Sequence, residues 1–233
     1  MIYQHIPNKL IVRLEKIEQD FIKQFSSSSA IENALLLGSS RQSHLLQSCH
    51  CQHCYFFCQT YSKLNAQSFH TCQGQFTALP YANESIDLAI LPHVLEFSSE
   101  PKIIIDQVSQ CLSRHGKLLL FSLSPSSQLL AVNKKIKIKP ISAYATKQII
   151  LQAGLEIISS QSFFSPLSYA PKSKLMQFID QVVTPYIPFL CNAYFIIAQK
   201  TTIPSTPMPL KSYATQKLSL ALESHCSTQL GNS

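Results

Sequence analysis

Along the chain the spacing of apolar positions changes repeatedly, and each change marks an element. Leu10, Leu14, Ile17 and Phe21 recur at helical spacing behind Asn8, a side chain suited to capping, while Arg13, Glu15, Lys16, Glu18 and Asp20 fall on other faces. An amphipathic helix is expected there, with the serines of residues 26–29 breaking it. Residues 34–37 are a short apolar run ending in Gly38-Ser39-Ser40, which predicts a buried strand and a turn. Residues 53–58, with Tyr55, Phe56 and Phe57, have the β-rich composition of a second strand, and residues 68–72 predict a short third. Residues 85–91 are nearly continuously apolar, as in a parallel strand buried on both faces, with Asp87 near its beginning and Pro92 and His93 at its carboxyl end.

The second half continues the alternation. Pro101 suits the first turn of a helix behind Ser98 and Ser99, with Ile104, Val108, Cys111 and Leu112 on one face and Gly116 as its end. Residues 117–123 predict a strand, 124–127 a loop, and 142–153 a helix closed by Gly154. Residues 155–164 and 193–199 are strand-like, with an apolar helix over 173–183 between them. Strands alternating with helices predict an α/β fold with a doubly wound, mostly parallel sheet. The expected organisation is an N-terminal helix and linker over 1–29, one domain over 30–203, and a loose tail over 204–233, where Pro204, Pro207 and Pro209 cluster.

Composition narrows the function classes. Hydrophobic residues are 45% of the 233 and charged residues 13%, enough for a sizeable core under an unusually neutral surface. No run approaches the ~18 apolar residues of a membrane span, and the mixed start lacks the basic-then-apolar order of an export signal. A cytoplasmic chain whose eight cysteines are free thiols is expected. The net charge of +7 comes from residues scattered along the chain, apart from Lys134, Lys135, Lys137 and Lys139, and no aromatic–basic stripe suits nucleic acid. The commoner explanation of that lysine group is a protected edge strand. Cys49, His50, Cys51, His53, Cys54 and Cys58 raise a metal site, but their uneven spacing and the absence of a partner for Cys51-x-x-Cys54 favour simple packing and no metal. The helix over 173–183, with Leu175, Ile179 and Val182 on one face, reads as a lid on the sheet.

One stretch carries a resemblance. Ala78-Leu79-Pro80-Tyr81-Ala82-Asn83-Glu84-Ser85-Ile86-Asp87-Leu88 resembles the pattern A-x-x-LP(F/Y)-x-x-x-S-(F/I)-D-x-V of the type 11 group of class I S-adenosylmethionine-dependent methyltransferases. Leu91-Pro92-His93-Val94-Leu95-Glu96-Phe97 is similar to that group's HVLEF or HVLEH, and residues 112–117 stand where it has L-x-P-G-G. Residues 184–190 and 199–204 are similar to a subgroup of small bacterial methyltransferase-domain proteins, extending the likeness to about residues 30–204. The resemblance implies a Rossmann-like, seven-stranded sheet with an antiparallel last strand, binding S-adenosylmethionine across the carboxyl ends of the first strands.

By resemblance, Gly38, Ser39, Gln75, Ala78, Leu79 and Leu91 are the cofactor-side residues and His93 faces a methyl acceptor. At the mouth past the strand of residues 85–91 its imidazole is either a base that takes a proton from the acceptor or, as the commoner reading, a polar loop residue bonded to the neighbouring backbone. The pattern departs from the family where only Gly38 remains of the glycine turn, and where the second strand ends in Cys58-Gln59-Thr60 with no carboxylate for the ribose. At Gln75 the adenine contact keeps a carbonyl acceptor and loses its charge. Two or three missing polar contacts at about 1 kcal/mol each weaken cofactor binding by about one to two orders of magnitude. Nothing in the sequence separates a small-molecule, lipid, RNA or protein acceptor. The rival reading is a binding or scaffold protein that keeps the fold without the reaction.

Overall fold

The computed structural model describes residues 8–28, 30–60, 69–125, 127, 139–163 and 193–201, with side chains from residue 12 onward. All of them lie in one compact unit that ends at Thr201. Among the described residues four helices, α1 (Asn8–Ser27), α2 (His44–Gln47), α3 (Pro101–Cys111) and α4 (Ala143–Gln152), accompany seven strands. These are β1 (Asn33–Leu37), β2 (His53–Cys58), β3 (His70–Gln73), β4 (Ile86–Pro92), β5 (Leu112–Leu123), β6 (Leu155–Phe163) and β7 (Ala193–Lys200), arranged in the order β3-β2-β1-β4-β5-β7-β6. Strands β1 to β5 pair in parallel, and β7 runs antiparallel to both β5 and β6. This is the expected doubly wound sheet with its antiparallel last strand.

Both faces of the sheet are covered because the strand side chains alternate between two cores. Leu35, Leu37, Phe57, Ala89, Leu91, Leu118 and Leu120 join Ile104, Ile105 and Val108 of α3 and Ile150 of α4 on one face. Ala34, Leu36, Phe56, Leu88, Ile90, Leu119 and Phe121 join Ile22 of α1 and Leu45 and Leu46 of α2 on the other. Burial on both faces explains why β1 and β4 are continuous apolar runs rather than alternating ones.

Asp87 ties the sheet together at the start of β4. Its Oδ2 accepts the N–H groups of Glu32 (3.2 Å) and Asn33 (3.0 Å), and its Oδ1 accepts the Ser113 hydroxyl at 2.8 Å. The carboxylate therefore joins β1, β4 and β5. At the other side, the Tyr194 hydroxyl of β7 donates to Ile141 O at 2.8 Å and lies 2.8 Å from Thr146 Oγ1, holding α4 against the sheet. Ser142 caps α4, accepting Ala145 N–H at 3.2 Å.

Three expectations change. Gly116 does not end a helix: α3 stops at Cys111, and the register of β4 on β5 jumps from Ile86↔Leu112 to Leu88↔Lys117. Residues 113–116 are thus looped out, with His115 at φ 67°, and a Cβ on Gly116 would lie 2.9 Å from Ile86 O, Ser113 N and Ser113 O. Glycine is needed there for close backbone approach. Second, the buried stripe of α1 is rotated from the expected one: Leu14, Glu18, Ile22 and Ser26 are buried, while Ile17 is 37% exposed. Third, the turn expected at Gly38-Ser39-Ser40 continues into a 3-10 turn and α2 over residues 40–47. The lid over 173–183, Lys134, Lys135 and Lys137, and the tail over 204–233 lie outside the described residues. Among the described residues no helix is long and apolar enough to cross a membrane.

Because the three atoms facing Gly116 are backbone atoms that cannot rotate away, Gly116→Ala is expected to destabilise the protein by about 2 kcal/mol or more. A fall in the urea midpoint at unchanged slope measures it.

Candidate functional site at the carboxyl edge of the sheet

In the parallel part of the sheet, β1, β2, β3 and β4 end at Leu37, Cys58, Gln73 and Pro92 on one edge, joined there by the end of β5. The hydrogen-bond ladder runs one residue past three of these ends. Gly38 N–H donates to Phe57 O (3.0 Å), Gly74 N–H to Cys58 O (3.0 Å) and His93 N–H to Phe121 O (2.9 Å). Between β1 and β4 the strand order reverses, and at such a switch point the connecting chains diverge and open α/β sheets hold their ligands.

Here that crevice is filled by a buried polar cluster. His93 is 3% exposed, and Glu18 of α1 and Glu96 of the following 3-10 turn are fully buried. His93 Nε2–H donates to Glu18 Oε1 at 2.7 Å and Nδ1–H to Glu96 Oε1 at 3.2 Å. Glu96 Oε1 also accepts Leu123 N–H at 2.6 Å, and its carbonyl accepts Lys139 N–H at 3.0 Å. Burial disfavours a charged ring, but the two carboxylates outweigh it and raise the His93 pKa to about 10. At neutral pH the imidazolium donates from both nitrogens, and in this arrangement the ring has no lone pair with which to take a proton from an acceptor. His93 also sits at φ 53°, a left-handed conformation that costs a non-glycine residue about 1–2 kcal/mol.

Gln42 fills the neighbouring space. Its Oε1 accepts Ser39 N–H (2.8 Å) and the Ser39 hydroxyl (3.1 Å), and its Nε2 donates to Pro92 O at 2.8 Å, joining the β1 turn to the end of β4. A Cβ on Gly38 would lie 2.7 Å from Gln42 Oε1, so the room that glycine leaves is occupied by this carboxamide. Arg41 adds an exposed pair with Glu15 of α1 at 3.0 Å.

The remaining sequence-predicted residues lie along the same edge in a different environment. Gln75 and Ala78 are exposed, with Ala78 N–H donating to Gln75 O at 3.0 Å, and Leu79 is half-buried, its N–H 3.3 Å from Gln107 Oε1. Gln59, at the end of β2, is exposed and its carbonyl accepts Gln73 Nε2 at 3.1 Å. The Leu91 side chain is in the core with no exposure, which leaves only its backbone for any ligand. Gly38, Ser39 and His93 are brought together and buried; Gln75, Ala78 and Leu79 form an open rim. A cavity of about 430 Å³ lies elsewhere, at the amino edge beside Phe25, Ile31, Asp87, Arg114 and Lys117, and contains none of these residues.

Sequence reasoning missed Glu18 and Gln42. Glu18 was legible as a charge in the middle of the i, i+4, i+8 series Leu14, Glu18, Ile22, an anomaly that asks for a buried partner. Gln42 had no comparable signal. The structure gives Glu96 a holding role on His93 and Leu123. Among the described residues no group of three or more His, Cys, Asp or Glu is arranged to hold a metal ion.

A doubly wound sheet with this strand order, an antiparallel β7 and a switch point between β1 and β4 is the class I methyltransferase fold. The chain has that fold, with a segment over residues 53–120, from β2 into β5, that matches the family model described as Methyltransferase domain, of the type 11 group. A curated relative, the uncharacterized protein YafS of Escherichia coli K12, is 25% identical over 137 residues. That match spans 57% of this chain and 56% of YafS, so the chain aligns with little more than half of its relative's length. Among solved structures, an S-adenosylmethionine-dependent methyltransferase from Archaeoglobus fulgidus superposes with a TM-score of 0.60 at 12% identity, over 80% of this chain and 94% of the other. A second from Mesorhizobium loti gives 0.55 at 11% identity, over 74% and 92%. The cyclase SpnF gives 0.57 at 14% identity, over 81% of each.

Two outcomes follow from the cluster. The His93 pKa is raised above its ordinary 6.5 to about 10, so the stabilisation from the charged ring is complete below about pH 6.5 and is lost as pH rises towards 10. Urea unfolding between those limits is expected to show falling stability, and His93→Asn, which tolerates the left-handed backbone, should remove that slope. Glu18→Ala removes one partner of a buried ion pair and is expected to cost about 3 kcal/mol by the same assay.

Proposed function

We propose that this chain binds S-adenosylmethionine at the carboxyl edge and transfers its methyl group to an acceptor not identified by the site. The reading rests on one observation: the residues that resemble the family's cofactor elements lie together along the edge where the strand order reverses. The comparisons support methylation in general through the family segment and the shared fold.

The fit of the cofactor to these residues is partial. Around Gln59, Gln75, Ala78 and Leu79 the edge is open and offers backbone groups and carboxamide acceptors suited to the adenosine part. Around Gly38 and His93 it is closed, because the Gln42 carboxamide takes the space beside the glycine and α1 covers His93 through Glu18. The methionine part therefore needs α1 to withdraw. His93 then serves as the holding point for α1 when the site is closed, and is exposed to the acceptor when it is open. When bound, the cofactor supplies the activated methyl group, and the protein's share is to align acceptor and donor and exclude water. The filled crevice also favours the second reading, a binding or scaffold protein that keeps the fold after losing the cofactor.

Calorimetric titration with S-adenosylhomocysteine separates the two. A closed state lowers apparent affinity by the fraction of open molecules, so Glu18→Ala, folded by circular dichroism, is expected to bind about tenfold more tightly than the parent. Parent binding with no gain in Glu18→Ala would remove α1 from the account. Absence of binding at millimolar ligand in both proteins would sink the methyltransferase reading.

A further inference from the structure

The cavity at the amino edge of the sheet, at the other end of the parallel strands from Gly38 and His93, has a construction of its own. It holds about 430 Å³, within the roughly 300–1,000 Å³ typical of small-molecule sites. One wall is the end of α1 and the segment after it, with Phe25 and Ile31; the other is the looped-out stretch of residues 113–116 and Lys117 beyond it. Asp87 lines the cavity too and pins both walls. Its Oδ2 accepts the N–H groups of Glu32 and Asn33, next in the chain after Ile31, and its Oδ1 accepts the Ser113 hydroxyl. The loop wall is also set by Gly116, packed where a Cβ would meet Ile86 O, and it holds His115 at φ 67°. Strain at a non-glycine residue persists only where the surroundings over-determine it, and it gathers at ligand sites.

The lining is cationic. Arg114, His115 and Lys117 stand against Asp87, the one acid lining the cavity among the described residues, and both oxygens of that acid are engaged. Arg114 Nε is 3.6 Å from Glu84 Oε2, and Glu84 Oε1 is in turn 3.8 Å from Lys200 Nζ. A long, exposed and shared pair of this kind is weak, so the guanidinium can turn to a better anion. Lys117 Nζ stands 5.2 Å from the centroid of the Phe25 ring, which sets an ammonium group against an aromatic wall. Positive charge and apolar surface therefore meet in one rigid hollow.

We infer that this cavity is a binding site for a phosphate monoester with an aromatic body. Such a phosphate carries close to two negative charges at neutral pH, and the guanidinium of Arg114 and the ammonium of Lys117 match them. The His115 imidazole brings a further hydrogen-bonding group to the same wall. The aromatic body packs against Phe25 and Ile31. A bare phosphate leaves that apolar surface uncovered, and an uncharged ring leaves the cations without an anion, so the lining selects the combination. No residue of this cavity belongs to the carboxyl edge, and the inference stands or falls independently of cofactor binding there.

The test is calorimetric titration of the full-length chain with phenyl phosphate, with phenol and inorganic phosphate as comparators. Saturable binding at one site per chain is expected, about tenfold or more tighter than either comparator, because each of them forfeits one half of the lining. Arg114→Gln and Lys117→Gln should each weaken binding by about tenfold, the worth of a hydrogen bond to a charged group. Arg114→Lys, which keeps the charge and loses the fork, should fall between Arg114→Gln and the parent. The Arg114 side chain is 74% exposed, so its variants should fold, as circular dichroism checks. An excess of S-adenosylhomocysteine should leave the affinity unchanged, which separates this cavity from the carboxyl edge. Absence of binding at millimolar phenyl phosphate, inorganic phosphate binding as tightly as the ester, unchanged affinity in Arg114→Gln, or displacement by S-adenosylhomocysteine each overturns the inference.

Discussion

An imidazolium shut between two carboxylates fixes how the N-terminal helix lies on the sheet. Three ionisable groups without access to water carry a large desolvation cost, which only close pairing offsets. The cluster is over-supplied with acid: Glu18 Oε2 and Glu96 Oε2 have no hydrogen-bond partner among the described residues. Leu14 and Ile22, above and below Glu18 on α1, supply the apolar contact that makes burial of the carboxylate tolerable. Further along the helix, Ser26 accepts the His50 N–H, so α1 is fastened at the carboxyl edge and again beside the loop between α2 and β2. An apolar stripe alone would set neither the rotation nor the axial position of α1; Glu18 reaching His93 sets both.

The strain at His93 belongs to the same constraint. A left-handed histidine is held because its N–H bonds Phe121 O, its ring bonds two elements, and the preceding carbonyl of Pro92 takes the Gln42 amide. Each bond comes from a different part of the chain: α1, the turn after β1, the turn after β4, and β5. Strain kept where several elements converge points to a place that changes conformation, a relation that runs from the observed geometry to function and not the reverse. Loss of one proton from the ring removes the positive charge that the two buried carboxylates share.

The strands were legible because apolar runs between turn residues leave little choice, and burial on both faces produces such runs in β1 and β4. The seven strands and the antiparallel β7 came from the resemblance rather than from periodicity, which does not report pairing, and the strand order is seen only in the structure. What misled was punctuation: Gly116 was read as a helix end by its position after an apolar face, whereas the backbone crowding around it comes from Ile86 and Ser113, one of them distant in sequence. The site was legible as a set of positions and not as an environment. Gly38 and His93 were found through motif, but the groups that decide their behaviour, Gln42 and Glu18, act across the fold, and no local pattern encodes a contact 75 residues away such as that between Glu18 and His93.

Residues that share a resemblance need not share a state. Along one edge Gln75 and Ala78 face solvent while Ser39 and His93 do not, although all four were placed at the site by the same family pattern. If the closed half were simply lost function, ordinary apolar packing would close it at lower cost than two carboxylates and a strained histidine. A charged, hydrogen-bonded closure opens into water with its ions rehydrated, which an apolar plug cannot do, so the chemistry of the seal itself favours a site that opens. Access and reaction are separate matters: SpnF shares the fold and is a cyclase, so the fold does not fix the chemistry at this edge.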